Sequence, residues 1–219
     1  LSGANTFDGI TRINGGTVQI DEASRLGSTV SNLEFRGGTL FTTANTVLTN
    51  RTILLGGEGG TFQVAAGTTN FIANVLSESN FLGATRLNNG HGDLIKTGTG
   101  TLRMGTAASA TNNLIAGYNM YQGLTDVREG TIQITANNNN VLGSSKSFYD
   151  GTIVRGGATL VLASNNFSYS IQEWLMFEEG STLRVEPTIG GYNAMNANGV
   201  MDFRGDTTVD IVSGDFYFN

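Results

Sequence analysis

One short phrase recurs along the chain and restricts the fold more than any other feature of the sequence. It is an apolar residue, a polar or glycine-rich link, and then Thr-apolar-any-apolar, as in residues 13–20 (INGGTVQI). The threonines that open its second half follow one another at intervals of 22 to 40 residues, which average about 24 if the longest interval hides one copy, and they are Thr17, Thr39, Thr61, Thr101, Thr131, Thr159, Thr182 and Thr208. A repeat of this length is typical of solenoids and related repeat folds.

The copies align into columns of apolar side chains. Alternation with a period of two predicts β-strands with one face in a core and the other in water. The first column is Val18, Leu40, Phe62, Leu102, Ile132, Leu160, Leu183 and Val209. The second is Ile20, Val64, Met104, Ile134, Leu162, Val185 and Ile211, with Thr42 as the exception. The third is Ile13, Phe35, Leu55, Ile95, Val127, Val154, Phe177 and Phe203. The long interval between Thr61 and Thr101 is interpreted as hiding one degenerate copy.

The links and the stacking of like residues favour a parallel β-solenoid over a meander of hairpins. A hairpin turn would be a tight Asn-Gly or Asp-Gly pair between neighbouring strands, whereas the links here, such as Gly37-Gly38, separate two strands that keep the same kind of inward residue. Glycines in the links allow sharp corners that branched residues resist. If each copy is one coil, the chain has eight or nine coils, and a rung spacing of about 4.8 Å gives a rod roughly 40 Å long.

Composition supports an all-β chain and excludes several classes of protein. Only 14% of the residues are charged, while 39% are hydrophobic, which suffices for a core. The 31 Gly disfavour helix bundles. A net charge of −6 without a basic run disfavours nucleic-acid binding, and the absence of Cys excludes disulfides and thiolate chemistry.

Three stretches resemble the autotransporter-associated β-strand repeat of secreted bacterial passenger domains. Residues 92–104 (GDLIKTGTGTLRM) are similar to the first half of that repeat, G-x-L-x-K-x-G-x-G-T-L-x-L. Residues 1–20 (LSGANTFDGITRINGGTVQI) and 121–134 (YQGLTDVREGTIQI) are similar to its second half. The resemblance implies a right-handed parallel β-helix, a secreted or cell-surface location in a Gram-negative bacterium, and a role as stalk, adhesin or matrix element. It implies no chemistry, because the motif residues shape corners and fill the core.

The organisation expected from these patterns is one solenoid segment, residues 1–219, cut from a longer polypeptide. The chain opens in the middle of a repeat and lacks the features of a signal peptide. Residues 105–120 are longer than the repeat allows, so we expect a loop excursion there that could make specific contacts.

Basic residues recur directly after the third apolar column. They could form a ligand-facing stripe for anionic glycans, or a solvated face whose long stems cover neighbouring coils. The residues concerned are Arg36, Lys96, Arg128, Arg155 and Arg204, with interruptions at Asn14, Gly56 and Glu178.

Catalytic patterns are weak, although β-solenoids include polysaccharide lyases and hydrolases. His91 is the single histidine, and no nucleophile motif accompanies it. Asp202, Asp206 and Asp210 are four residues apart, a spacing that gathers side chains on one face in a helix but not across strands and a corner. The adjacent carboxylates Glu178 and Glu179 point to opposite faces of an extended segment. We therefore expect no enzyme activity, metal or cofactor.

The sequence thus predicts a non-catalytic stalk or adhesin segment that displays loops for contact with cells or matrix. The alternative is a glycan-binding or polysaccharide-degrading β-helix protein. Expected partners are a host-cell receptor, a matrix component or a glycan, together with end-to-end association of solenoids. A Thr array for ice binding is disfavoured, because one Thr column repeats per coil.

Overall fold

The computed structural model describes residues 1–49, 51–73, 76–78, 91–105, 121–135, 142, 151–163, 167–169, 174–186, 193–195, 200–212 and 216–218. Side chains are described in these ranges except in the strands at 76–78, 167–169, 193–195 and 216–218. The expected loop excursion lies outside the described residues apart from Gly105.

The described strands, numbered in chain order, form four sheets. Sheet I contains β1 (Thr11–Ile13), β3 (Leu33–Phe35), β6 (Ile53–Leu55) and β9 (Leu76–Glu78). Sheet II contains β2 (Thr17–Ile20), β4 (Thr39–Thr42), β7 (Gly60–Val64), β10 (Leu94–Thr97), β12 (Thr125–Val127), β14 (Thr152–Val154), β17 (Leu175–Phe177) and β20 (Met201–Phe203). Sheet III contains β5 (Thr46–Leu48), β8 (Thr69–Ile72), β11 (Thr101–Met104), β13 (Thr131–Ile134), β15 (Thr159–Leu162), β18 (Thr182–Val185) and β21 (Thr208–Ile211). Sheet IV contains β16 (Phe167–Tyr169), β19 (Asn193–Met195) and β22 (Phe216–Phe218).

The strands stack as a parallel β-solenoid, which confirms the predicted fold class. For example, β2 pairs in parallel with β4 and β4 with β7, each pair joined by the chain that runs around the coil. Among the described residues, sheet II has eight stacked strands, one for each coil, and eight or nine coils were expected. Sheets I and IV, with four and three strands, each accompany only part of the longer sheets II and III. The right-handed sense of the coil stays a prediction.

The core consists of inward side chains that lie above one another on successive rungs. Val18, Leu40 and Phe62 are consecutive in-register partners in sheet II, as the sequence predicted. In sheet III, Leu102 and Ile132 are partners and both are fully buried. Burial of such columns is the main stabilising contribution that each coil gains from its neighbours.

The predicted columns are wrong in one respect, because the repeated phrase changes sides between β7 and β11. Phe62 is followed by Lys96 in sheet II, whereas Leu102 lies in sheet III with Asn70 as its partner. Ile95 therefore does not belong to the column of Val127, which pairs with Lys96. Up to β7 the phrase runs from sheet I to sheet II, and from β10 onward it runs from sheet II to sheet III. The long interval between Thr61 and Thr101 contains this change of side, since the partner of Thr101 is Thr69 of β8.

Glycines turn the corners between sheets, as the links predicted. Gly98 and Gly130 have φ values of 73° and 69°, a region that favours glycine. A Cβ on Gly130 would lie 2.3 Å from the carbonyl oxygen of Gly98, so successive corners pack backbone against backbone. A side chain is thus excluded at both glycine positions by conformation and by lack of space.

A 3-10 helix, Ala23–Leu26, lies in the chain between β2 and β3. The buried guanidinium of Arg51 holds the segment that follows it. Nη1 donates to the carbonyl oxygens of Leu26 at 3.1 Å and Ser31 at 2.8 Å, and Nη2 donates to those of Gly27 at 3.2 Å and Ser28 at 3.0 Å. Burial lowers the pKa of Arg51 from its ordinary value. None of the described residues forms a helix with the length and hydropathy required to cross a membrane.

Candidate functional site: the charged corner of sheets II and III

The five basic residues predicted to form a stripe occupy three different environments. Arg128, Arg155 and Arg204 directly follow β12, β14 and β20, in the links that lead from sheet II to sheet III. We call the links of this kind from β10 onward, residues 98–100, 128–130, 155–158, 178–181 and 204–207, the II/III corner. Arg36 lies instead between β3 and β4, at the corner of sheets I and II. Lys96 lies within β10 and is fully buried, so it cannot belong to an exposed stripe.

The arginines at the II/III corner are neutralised by carboxylates. Asp126 is buried on β12 and accepts a hydrogen bond from Arg128 Nε at 2.8 Å. Arg155, one coil further along, donates to Asp126 from Nε at 2.7 Å and reaches Glu178 Oε1 from Nη1 at 2.8 Å. The cluster of Arg128, Arg155, Asp126 and Glu178 therefore carries no net charge. It connects coils and does not offer a row of free cations to an anionic ligand.

The electrostatics of Asp126 follow from burial and its two arginines. Burial alone would raise the pKa of the Asp126 carboxyl, but the hydrogen bonds from Arg155 and Arg128 outweigh it and hold the pKa below its ordinary value of 3.8. The same contact raises the pKa of Arg155 above its ordinary value. Asp126 is thus held as a carboxylate that anchors two cations.

The buried side chain of Lys96 binds backbone carbonyl groups at the same corner. Its Nζ donates to the carbonyl oxygens of Thr97 at 2.8 Å, Gly98 at 2.6 Å and Glu129 at 3.0 Å. Burial lowers the pKa of Lys96 from 10.5 to about 8, and the Glu129 carboxylate opposes this shift. The ammonium group caps two successive corner links from inside, and Glu129 accepts a hydrogen bond from the Gly98 amide at 3.0 Å.

An acid two residues before a corner arginine recurs, and this signal was missed in the sequence. Besides Asp126 and Arg128, it pairs Arg36 with Glu34 at 2.8 Å and Arg204 with Asp202 at 2.9 Å. Glu34 is buried and also binds Arg12 of the preceding coil at 2.6 Å. Residues two apart in a strand share a face, so the acid-x-Arg spacing could have predicted these ion pairs.

The candidate catalytic residues do not converge among the residues that the structure describes. Asp202 is paired with Arg204, and Asp210 lies 3.6 Å from Arg184. Glu178 is paired with Arg155. The described ranges contain no cluster of three or more His, Cys, Asp or Glu side chains that could hold a metal ion.

Comparisons with known proteins match parts of this chain. The model of the passenger-associated-transport-repeat family matches residues 1–20 and 94–134. The first range contains β1 and β2, at the corner of sheets I and II, and the second contains β10 to β13, at the II/III corner. The family phrase therefore turns different corners of one solenoid. No solved structure matches significantly.

The chain is also similar to part of a curated autotransporter protein. The Adhesin BmaC autotransporter of Brucella suis biovar 1 (strain 1330) is 44% identical over 77 residues, which are 35% of this chain and 2% of the relative. The match thus spans a very small part of that relative's length. The two matches show that residues 1–20 and 94–134 are similar to the passenger-associated-transport repeat, and that 35% of the chain is similar to part of an autotransporter adhesin.

Proposed function

We propose that this chain is a non-catalytic rod segment of a secreted or surface-displayed Gram-negative adhesin, and that it presents corners and loops to host cells or matrix. The observation that carries the proposal is the 44% identity over 77 residues to an adhesin autotransporter. The parallel register of successive coils supports it. A parallel stack transmits load along backbone hydrogen bonds and leaves corner residues free for contact.

The arrangement of charge supports a structural role for the II/III corner. Asp126 and its arginines join adjacent coils, and Lys96 binds backbone carbonyls. These groups stabilise the rod without an open reactive centre between them. The contacts that mediate adhesion are expected on exposed corners instead.

Adhesion can be tested with beads that carry the purified chain. Beads bearing the chain should adhere to cultured animal cells or to matrix-coated surfaces more strongly than beads bearing an unrelated β-solenoid at equal density. Equal adhesion of the two bead types would contradict the adhesin proposal. Antibody labelling of intact source bacteria, with and without protease shaving, tests the surface location.

End-to-end association is a second element of the proposal. Apolar side chains are exposed in the last described coil, with Phe203, Val209 and Ile211 at 38%, 44% and 47% exposure. Open strand edges with apolar side chains favour pairing with a further coil. Sedimentation velocity should show association that increases with concentration, and a strictly monomeric chain at high concentration would refute it.

A further inference from the structure

A tripeptide of opposite charges occupies the II/III corner between β20 and β21. Arg204, Gly205 and Asp206 are all exposed, and the order Arg-Gly-Asp occurs once in the sequence. Two other corners begin with Arg-Gly but continue with Gly, at Arg36 and Arg155. The acidic third residue is thus particular to this corner and is not required by the fold.

The backbone of this turn is held by the coil below it. The amide of Arg204 donates to Phe177 O at 2.8 Å, and Asp206 O accepts from the Gly180 amide at 2.8 Å. Gly205 has φ 64°, and a Cβ at this position would lie 2.9 Å from Cβ of Glu179. A turn fixed in this way loses little conformational entropy on binding a partner.

The two charged side chains remain available for an external contact. Asp206 makes no side-chain hydrogen bond or ion pair with any residue that the structure describes. Arg204 makes one described ion pair, with Asp202, and its side chain is 56% exposed. Exposed pairs of this kind are weak, so a partner can displace Asp202 at small cost.

The exposure of the turn does not result from its place near the end of the described coils. Corner residues in coils that have neighbours on both sides are exposed as well, and they are Arg128, Glu129, Gly156, Gly157, Glu179 and Gly180. A further coil stacked on β20 and β21 would leave the outer side of the corner accessible.

We infer that the Arg204-Gly205-Asp206 corner is the adhesive ligand of this segment, and that its partner is a metal-dependent cell-surface receptor of the class that binds Arg-Gly-Asp peptides. Carboxylate oxygens are preferred ligands of Mg²⁺ and Ca²⁺, so Asp206 would complete the coordination of a divalent cation in the receptor. The guanidinium of Arg204 forms forked hydrogen bonds with carboxylates, so an acidic pocket beside that cation would accept it.

This inference rests on the proposed adhesin function and adds the class of partner. The inference is also consistent with the net charge of −6. A negatively charged chain is repelled by an acidic receptor surface unless a cation lies between the two. The basic stripe considered from the sequence included Arg204 for a different ligand, an anionic glycan.

The test measures binding of the immobilised chain to the soluble ectodomain of an Arg-Gly-Asp-binding receptor loaded with Mn²⁺. Asp206→Glu keeps the charge but displaces the carboxylate, and it should weaken binding by about tenfold or more. Asp206→Gly recreates the Arg-Gly-Gly corner that the fold already uses twice, and it should have the same effect. Asp210→Glu is the matched control and should bind as the unaltered chain does.

Chelation of the cation with EDTA should abolish binding, and a soluble Arg-Gly-Asp peptide should compete. Absence of binding by the unaltered chain, persistence of binding in EDTA, or unchanged affinity in both Asp206 variants would overturn the inference. Bead adhesion distinguishes it from the proposed function. If beads bearing Asp206→Glu adhere to cells as strongly as unaltered beads, the assignment of this corner as the adhesive ligand is wrong but the adhesin function stands.

Discussion

The guanidinium of Arg155 reaches back one coil to the buried carboxylate of Asp126, with Nε 2.7 Å from Oδ1. Arg128 approaches the same carboxylate from its own coil at 2.8 Å. One acid thus holds two cations that would otherwise repel each other at a corner where successive coils are packed closely.

Replacement of Asp126 by Ala should destabilise the solenoid by about 1–3 kcal/mol, because it leaves two partly desolvated arginines without their acceptor. Asp202 is the matched control, since it occupies the same register position in β20 and pairs with one arginine that is 56% exposed. Asp202→Ala should cost less than about 1 kcal/mol. Urea unfolding followed by circular dichroism measures both, and equal losses would contradict a special role for Asp126.

Acid should remove the contribution of Asp126. Because its pKa is lowered in the folded state, the stabilisation is fully present above the ordinary value of 3.8 and is lost as pH falls through the lower folded value. The difference in urea midpoint between the unaltered chain and Asp126→Asn should therefore shrink as pH decreases from about 4 to about 2. A difference that stays constant over this range would show that the charge of Asp126 is not involved.

Lys96 should make the stability of the folded chain rise with pH in the alkaline range. Its folded pKa of about 8 lies below the ordinary value of 10.5, so above pH 8 the unfolded chain binds more protons than the folded chain. The stability of the unaltered chain relative to Lys96→Met should rise by roughly 1–3 kcal/mol between these pH values. Unfolding in urea at a series of pH values measures it, and a flat difference would refute the buried ammonium.

Arg51 should govern the order of the segment that follows the 3-10 helix. Arg51→Met removes the donors to four carbonyl oxygens in residues 26–31, so amide exchange in that segment should accelerate at least about tenfold. Arg51→Lys should recover only part of the protection, because an ammonium cannot span four acceptors. Hydrogen exchange with mass spectrometry tests this, with the sheet III segment 131–134 as an internal control.

A heparin column should retain the chain only weakly, because the arginines of the II/III corner are already paired with carboxylates. The chain should elute at low salt, and replacement of Arg128 and Arg155 by Ser should leave the elution position unchanged. Strong retention that both replacements reduce would restore the hypothesis of a glycan-binding stripe.

The sequence alone determined the inward and outward faces of the strands, the parallel stacking of Val18, Leu40 and Phe62, and the use of glycine at the corners. The alternation and the corner conformation are local, because they depend on neighbouring residues. The stacking follows from the repeat, since equivalent residues return once per coil. Only the tertiary structure decided which side of the solenoid each copy occupies, since every side requires the same inward apolar pattern and the phrase does not distinguish them. That choice stacks Lys96 on Phe62 inside the core, and it brings Arg155 to Asp126 across a coil boundary that no spacing along the chain reveals.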